Sequence, residues 1–238
     1  MSKAPRALIF DVFGTLVDWR SSAAREAEAL LAPLGLQLDW AAFADAWRGQ
    51  YQPAMEQVRS GALPYCTLDT LHRRNLDFVL DQFFAPSQLS QVDNTLRDEL
   101  TLAWHRLDAW PDVTPALARL RQTLLIAPCS NGNIALMVDL ARHNGWHWDA
   151  ILGADLARDY KPQAVVYLSA VAALGLRADE VVMVAAHSSD LAAAAAAGLR
   201  TAFIARPDEH GPGRGEHAAQ CEVDWAAADL QALADQLL

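Results

Sequence analysis

The sequence predicts an α/β protein: a doubly wound, Rossmann-like parallel sheet with a helical cap subdomain inserted after its first strand. Three observations carry this prediction. Short apolar runs of strand length alternate with helical patterns through the second half of the chain, as parallel βαβ units do. The run Leu8-Ile9-Phe10 ends abruptly in the acidic, turn-forming stretch Asp11-Val12-Phe13-Gly14-Thr15. From Asp18 to Leu107 the chain then shows helical periodicity and no convincing buried strand.

Taken in order, residues 7–11 read as the first strand, and 22–34, 41–59, 67–84 and 90–107 as the helices of the insert. Ser21 or Ser22 is placed to cap the first of these helices and Gly35 to end it. A hydroxyl satisfies free N–H groups at a helix start, and glycine accepts the left-handed conformation of a helix end. Residues 61–64 and Ala85-Pro86 read as turns. The core resumes with strands at 124–128, 150–153, 181–185 and 201–205, separated by helices at 114–122, 134–143, 164–173 and 191–197. Gly198 ends the last of these. A Gly/Pro/charged loop occupies 207–215, and 224–238 reads as a closing helix capped by Asp224. The expected division is a core of residues 1–17 and 108–238 with a helical cap of residues 18–107.

A chain of 238 residues with 53% apolar content suits one such core plus its insert. The net charge of −10 disfavours nucleic acid and acidic membrane surfaces as partners, so a small anionic substrate would need a local basic pocket. No apolar stretch is long enough to span a bilayer, and MSKAPRALIF has too short an apolar run for a signal peptide. Cys66, Cys129 and Cys221 are odd in number and sparse, which argues against a disulfide framework and fits a reducing, cytoplasmic setting. Their spacing matches no zinc site. His143 and His147 stand at a metal-compatible spacing, but Gly145 between them ends the helix, so they read as a helix end and a turn.

In an open parallel sheet, ligands bind beyond the carboxyl ends of the strands, near the switch in strand order. Asp11, Ser130 with Asn131, Lys161 and Asp190 all fall at such ends. A carboxylate there is costly unless something uses it. A helical insert directly after the first strand would hang over that rim as a lid.

Asp11 followed by Gly14 and Thr15 resembles the nucleophile loop of the haloacid dehalogenase superfamily. Ser130-Asn131-Gly132 after a strand is similar to the family's second motif. Lys161 in DYKPQAVVY stands where the family keeps its lysine, and Asp190 after VVMVA resembles the fourth motif. Order, spacing and strand context agree over essentially the whole chain. Phosphatases of the superfamily carry a second aspartate two residues after the nucleophile, which protonates the leaving alkoxide; this chain has Phe13. They also carry a carboxylate four residues before the last motif aspartate; this chain has Ala186. The resemblance is therefore to the L-2-haloacid dehalogenase branch, for which neither a metal nor any other cofactor is expected, since a halide leaves as an anion without protonation.

That resemblance implies hydrolytic dehalogenation of a small-molecule haloacid, a short 2-haloalkanoate such as chloroacetate, fluoroacetate or L-2-chloropropionate. Asp11 would attack C2 and expel halide, and water would cleave the aspartyl ester to a 2-hydroxyalkanoate. Lys161 would keep Asp11 ionised, with Asp190 orienting Lys161. Thr15 and Ser130 would supply hydroxyls to Asp11 and to the substrate carboxylate, and Val12 and Phe13 their backbone N–H groups. Arg48, in AWRGQY, and Asn131 would cradle the halide, with Trp47 and Tyr167 completing the substrate site. There are departures from the branch. Ala185 and His187 stand where it carries serine and asparagine, and Ser189 where it carries an aromatic residue. His187 is placed to position or activate the hydrolytic water as a neutral imidazole, and a smaller pocket would suit fluoride. Arg59, Arg73 and Arg74 read as solvated arginines of the insert. Three alternatives stay open: hydrolysis of another carboxylate with a leaving group at C2, such as azetidine-2-carboxylate; a phosphatase; and a binding protein with a vestigial site. Dimerisation is common among similar proteins, although no heptad or apolar stripe here supports a homodimer.

Overall fold

The structure is a computed structural model describing residues 4–238. The first three residues, part of the stretch read as too short for a signal peptide, lie outside the described residues. Strands β1 (Ala7–Phe10), β2 (Leu125–Ser130), β3 (Leu152–Gly153), β4 (Val181–Ala185), β5 (Arg200–Ile204) and β6 (Trp225–Ala227) form one six-stranded sheet in the order β3-β2-β1-β4-β5-β6. Every pairing is parallel. The order reverses at β1, so the crevice lies beyond the ends of β1 and β4.

β1 is apolar throughout because both sheet faces are covered. Leu8 and Phe10 pack with Val182 and Val184 in one core cluster, while Ala7 and Ile9 pack with Val181 and Met183 in the other. Between β1 and β2 come six helices: α1 (Trp19–Leu31), α2 (Trp40–Gly49), α3 (Tyr51–Arg59), α4 (Leu68–Phe83), α5 (Pro86–Leu89) and α6 (Asn94–Thr101), with α7 (Val113–Leu120) leading into β2. The later helices are α8 (Ile134–Asn144), α9 (Ala154–Ala157), α10 (Ala164–Ala173), α11 (Ser188–Ala196) and α12 (Leu230–Leu237). None of the described helices is long and apolar enough to cross a membrane.

Several expected boundaries move, each for a local reason. Asp18, not Ser21 or Ser22, caps α1: its carboxylate accepts the Ser21 N–H at 3.0 Å. The Ser22 hydroxyl instead accepts the Asp108 N–H at 2.9 Å, tying the start of the helical segment to its exit. The expected helix over 41–59 breaks at Gln50 into α2 and α3, with Pro53, which has no N–H to give, in the first turn of the second. Asp93 caps α6, and the expected helix over 90–107 loses its first turn accordingly. The closing segment differs most. Trp225–Ala227 pairs with β5 as an edge strand, and α12 begins only after its cap, Asp229. Asp224, expected as that cap, accepts the Thr201 N–H at 2.9 Å.

The helical segment is pinned to the core by part-buried polar contacts. His105 lies between Asp69 at 3.1 Å and Asp139 at 2.8 Å, Tyr65 donates to Asp155 at 2.8 Å, and Arg59 Nη1 donates to the Lys161 carbonyl at 2.9 Å. The cap assignment at α1 gives a direct check. Asp18→Ala lowers unfolding stability by about 1 kcal/mol in urea titrations, and Ser21→Ala changes it by less than about 0.5 kcal/mol.

Candidate active site

The site is built at the ends of the two central strands. The Asp11 N–H continues the ladder to the Val184 carbonyl at 3.0 Å, and the chain then turns at once. Gly14 makes that turn at φ +85°, letting the N–H groups of Leu16 and Val17 reach back to the Val12 carbonyl at 2.9 and 3.2 Å. The loop leaves the Asp11 side chain facing a cleft of about 980 Å³. Thr15 is fully buried; its hydroxyl donates to Asp11 Oδ2 at 2.7 Å and accepts the Ala186 N–H at 2.9 Å.

Lys161 comes from the loop between α9 and α10. Its ammonium donates to Asp11 Oδ1 at 2.9 Å and to Asp190 Oδ2. Asp190, in the first turn of α11, also accepts the Tyr167 hydroxyl. Burial alone would raise the Asp11 pKa, but the Lys161 charge, with His187 and Thr15, holds it far below the usual carboxylate range. Burial likewise disfavours the Lys161 cation, and the Asp11 and Asp190 charges overcome it and raise its pKa. Asp11 is therefore a preformed, ionised and oriented carboxylate, which is what a nucleophile needs.

His187 follows β4 and touches two carboxylates. Nδ1 is 3.1 Å from Asp11 Oδ2, and Nε2 is 2.8 Å from Glu209 Oε2. Burial pulls its pKa down, yet the hydrogen bonds and charges of Asp11 and Glu209 push it up to about 10. The expectation of a neutral imidazole is overturned for the resting state: with Asp11 ionised, the ring is an imidazolium. Glu209, from the loop after β5, is held below the usual carboxylate range mainly by His187, against its burial.

Arg48, from α2, lies in the same cleft with its guanidinium stacked at 3.9 Å from the Tyr51 ring centroid and near the rings of Trp19 and Phe13. Among the described residues it makes no ion pair, and its buried Nη1 has no hydrogen-bond partner. Asn131 lines the cleft too, but its Oδ1 accepts the Lys161 N–H at 2.8 Å, so only its NH₂ group is available to an anion. Val12 is buried beside Phe13, and among the described residues neither donates its N–H to another backbone group.

Three expected site residues sit elsewhere. Trp47 is buried under the cleft, donating to the His72 carbonyl at 3.0 Å and packing edge-on against Trp104. Tyr167 is wholly buried behind Asp190 and acts on that carboxylate, not on the cleft. Ser130 is wholly buried, and its hydroxyl accepts the Gly132 N–H at 3.0 Å instead of reaching Asp11. Conversely, Glu209, Tyr51 and Arg59 belong to the cleft and were not singled out. Arg59 is therefore not the solvated arginine the sequence suggests, because its guanidinium is tied to the Lys161 carbonyl. Only Tyr51 had a signal, since it lies close after Arg48 in AWRGQY; nothing local marks Glu209.

The charge state of His187 sets a pH dependence. Its folded pKa lies above its ordinary value, so its stabilising contribution is complete below pH about 6.5 and is lost as pH rises toward about 10. The stability difference between the wild type and His187→Asn, measured by chemical denaturation, therefore shrinks steadily between those two pH values.

Comparison with known proteins agrees with this geometry. A family model for haloacid dehalogenase-like hydrolases matches residues 5–198. The chain is 29% identical over 204 residues to (S)-2-haloacid dehalogenase 4A of Burkholderia cepacia, covering 84% of this chain and 83% of that protein. The crystal structure of a defluorinating L-2-haloacid dehalogenase superposes with a TM-score of 0.94 at 46% identity, over 98% of this chain and 95% of that one. That of a second L-2-haloacid dehalogenase gives a TM-score of 0.92 at 47% identity, over 98% and 99%. With strand order, the loop after β1 and the match across residues 5–198 in accord, the chain belongs to the haloacid dehalogenase-like hydrolase family.

Proposed function

We propose that this hydrolase dehalogenates short 2-haloalkanoates, fluoroacetate among them, through an ester on Asp11. The observation that carries the reading is the unpaired guanidinium of Arg48, held by aromatic rings in the cleft that contains the ionised Asp11. A permanently charged donor that makes no ion pair among the described residues suits an emerging halide. Phe13 lines the cleft where the leaving-group acid of a phosphatase would stand, and a halide has no need of one. The names of the compared dehalogenases, one of them defluorinating, support the same substrate class.

In this mechanism Asp11 attacks C2 in line, the C2–halogen bond breaks, and the halide leaves with the electron pair toward Arg48 and the Asn131 amide. The Lys161 ammonium and Thr15 hydroxyl hold the attacking carboxylate, which limits the orientation lost on reaching the transition state. The backbone N–H groups of Val12 and Phe13 receive the substrate carboxylate. The helices between β1 and β2 act as the cap that brings Arg48 over the core and excludes bulk water.

The test is halide release from fluoroacetate, chloroacetate and each enantiomer of 2-chloropropionate with a chelator present. Release from at least one substrate is expected, abolished in Asp11→Asn and reduced about a hundredfold in kcat/KM for Arg48→Ala. No halide from any of the four, or release that stops with the chelator, overturns the reading.

A further inference from the structure

Glu209 has no contact with Asp11, yet it is one of the best-fixed carboxylates in the molecule. It is 2% exposed, and Trp19 Nε1 donates to its Oε1 at 3.1 Å. It lies against Gly14 so closely that a Cβ there would fall 2.0 Å from Oε1. Its loop is clamped at both ends. Arg206 grips Asp112 with two hydrogen bonds of 2.9 and 2.8 Å and donates to the Thr15 carbonyl at 2.8 Å, and the Gly215 N–H closes onto the Pro207 carbonyl at 2.7 Å. So much fixing around a carboxylate whose other oxygen meets His187 calls for a role.

The geometry of the ring defines that role. Ionised carboxylates only accept hydrogen bonds, and His187 faces one at each nitrogen. Both nitrogens must therefore carry hydrogen while Asp11 is ionised. Alkylation of Asp11 removes one of the two negative charges that hold those protons and leaves the other.

Building on the reading of Asp11 as an ester-forming nucleophile, we propose that Glu209 is a positioning residue that keeps the Nε2–H of His187 while ester formation frees Nδ1, turning the ring into the base for the hydrolytic water only after halide has left. The steps balance. Asp11 Oδ forms a bond to C2 and halide departs, so the Asp11 charge disappears. His187, 25% exposed at the cleft, then releases its Nδ1 proton to solvent, which is the one proton that net hydrolysis liberates. Water attacks Cγ of Asp11 and passes a proton to Nδ1. The tetrahedral adduct collapses, its hydroxyl proton moves to the departing 2-hydroxyalkanoate oxygen, and the Asp11 carboxylate and His187 imidazolium are restored. The charged groups that bear directly on the ring are Asp11 from the core and Glu209 from the clamped loop; Lys161 bears on Asp11, and Arg48 and His210 bear on Glu209. Of these, only Asp11 changes charge in the reaction.

The order has a chemical use. A free base beside Asp11 before alkylation would leave the carboxylate without one of its three side-chain partners. The imidazolium instead supports the nucleophile, and the same ring changes role when the nucleophile is spent.

The experiment follows halide release and Asp11 adduct together, by rapid quench and intact mass, with chloroacetate. Glu209→Gln keeps the shape and the acceptor for Trp19 but loses the charge. Relative to the wild type it is expected to slow steady-state turnover at least tenfold while still giving an initial burst of halide, with a carboxymethyl ester accumulating on Asp11. His187→Ala removes the ring without installing the asparagine of the related branch and should show the same accumulation, so it carries the test if Glu209→Gln does not fold; Glu209→Asp should restore part of the turnover. Absence of adduct in both Glu209→Gln and His187→Ala, with burst and turnover falling together, overturns this proposal alone. A wild-type enzyme that releases no halide from any haloacid removes the underlying reading as well.

Discussion

The Lys161 ammonium between Asp11 and Asp190 is the interaction on which the rest of the site depends. All three side chains are buried, and an unpaired charge in such surroundings is strongly destabilising. Together they satisfy one another. The sheet order makes the meeting possible: Asp11 ends β1, Asp190 opens the helix after the adjacent β4, and Lys161 drops in from the loop before α10. The lysine backbone is itself held twice. Asn131 accepts its N–H and Arg59 donates to its carbonyl, so the second motif and the helical segment both set its position. Removing the ammonium would leave two buried carboxylates facing each other and would loosen the contact through which α3 reaches the core.

Around this triad the cleft separates two kinds of positive charge. Lys161 and His187 are fully engaged with protein carboxylates and serve to hold Asp11 ionised. Arg48 makes no ion pair among the described residues; it is stabilised by ring faces and, at longer range, by the Glu209 carboxylate. In a protein whose net charge is −10, that arrangement gives a small anion a local point of attraction without disturbing Asp11. The cations that touch Asp11 and the guanidinium of Arg48 line the same cleft but come from different parts of the chain.

Much of the core was legible in the sequence because its signals are short-range. A buried parallel strand must be apolar and must end where the chain meets the ligand rim, which marks Asp11 and Asp190, whereas Lys161, in the loop after α9, is marked by its motif position. The helix ends were less legible. Asp18 and Ser21 are both competent caps, and only the tertiary contact of Ser22 with Asp108 shows how the chain enters α1. Trp225–Ala227 has no strand periodicity at that length; its pairing with β5 is a consequence of where the preceding loop delivers it. Motif position suggests Tyr167 and Ser130 for the substrate site, and adjacency to Arg48 suggests Trp47, whereas burial depth decides whether a side chain reaches a cleft or supports it from behind. Tyr167 illustrates the difference: its hydroxyl contacts Asp190, which contacts Lys161, which contacts Asp11.

Glu209 was illegible for a stronger reason. A glutamate in a Gly/Pro-rich loop carries no local sign of burial, and its partners are distant in sequence: Trp19 through the indole, His187 through the ring and Gly14 through bare backbone. The glycine is the one trace it leaves. Gly14 in the nucleophile loop is explained by its positive φ alone, so the sequence offers no reason to look for a second constraint. The structure supplies one, because even a residue tolerant of that φ would drive a Cβ into the carboxylate. The loop after β5 and the loop after β1 are thus fitted to each other at the point where the charge of Asp11 is controlled. A substitution at Gly14 would meet both constraints at once, the left-handed backbone of the turn beside Asp11 and the Glu209 carboxylate packed against it.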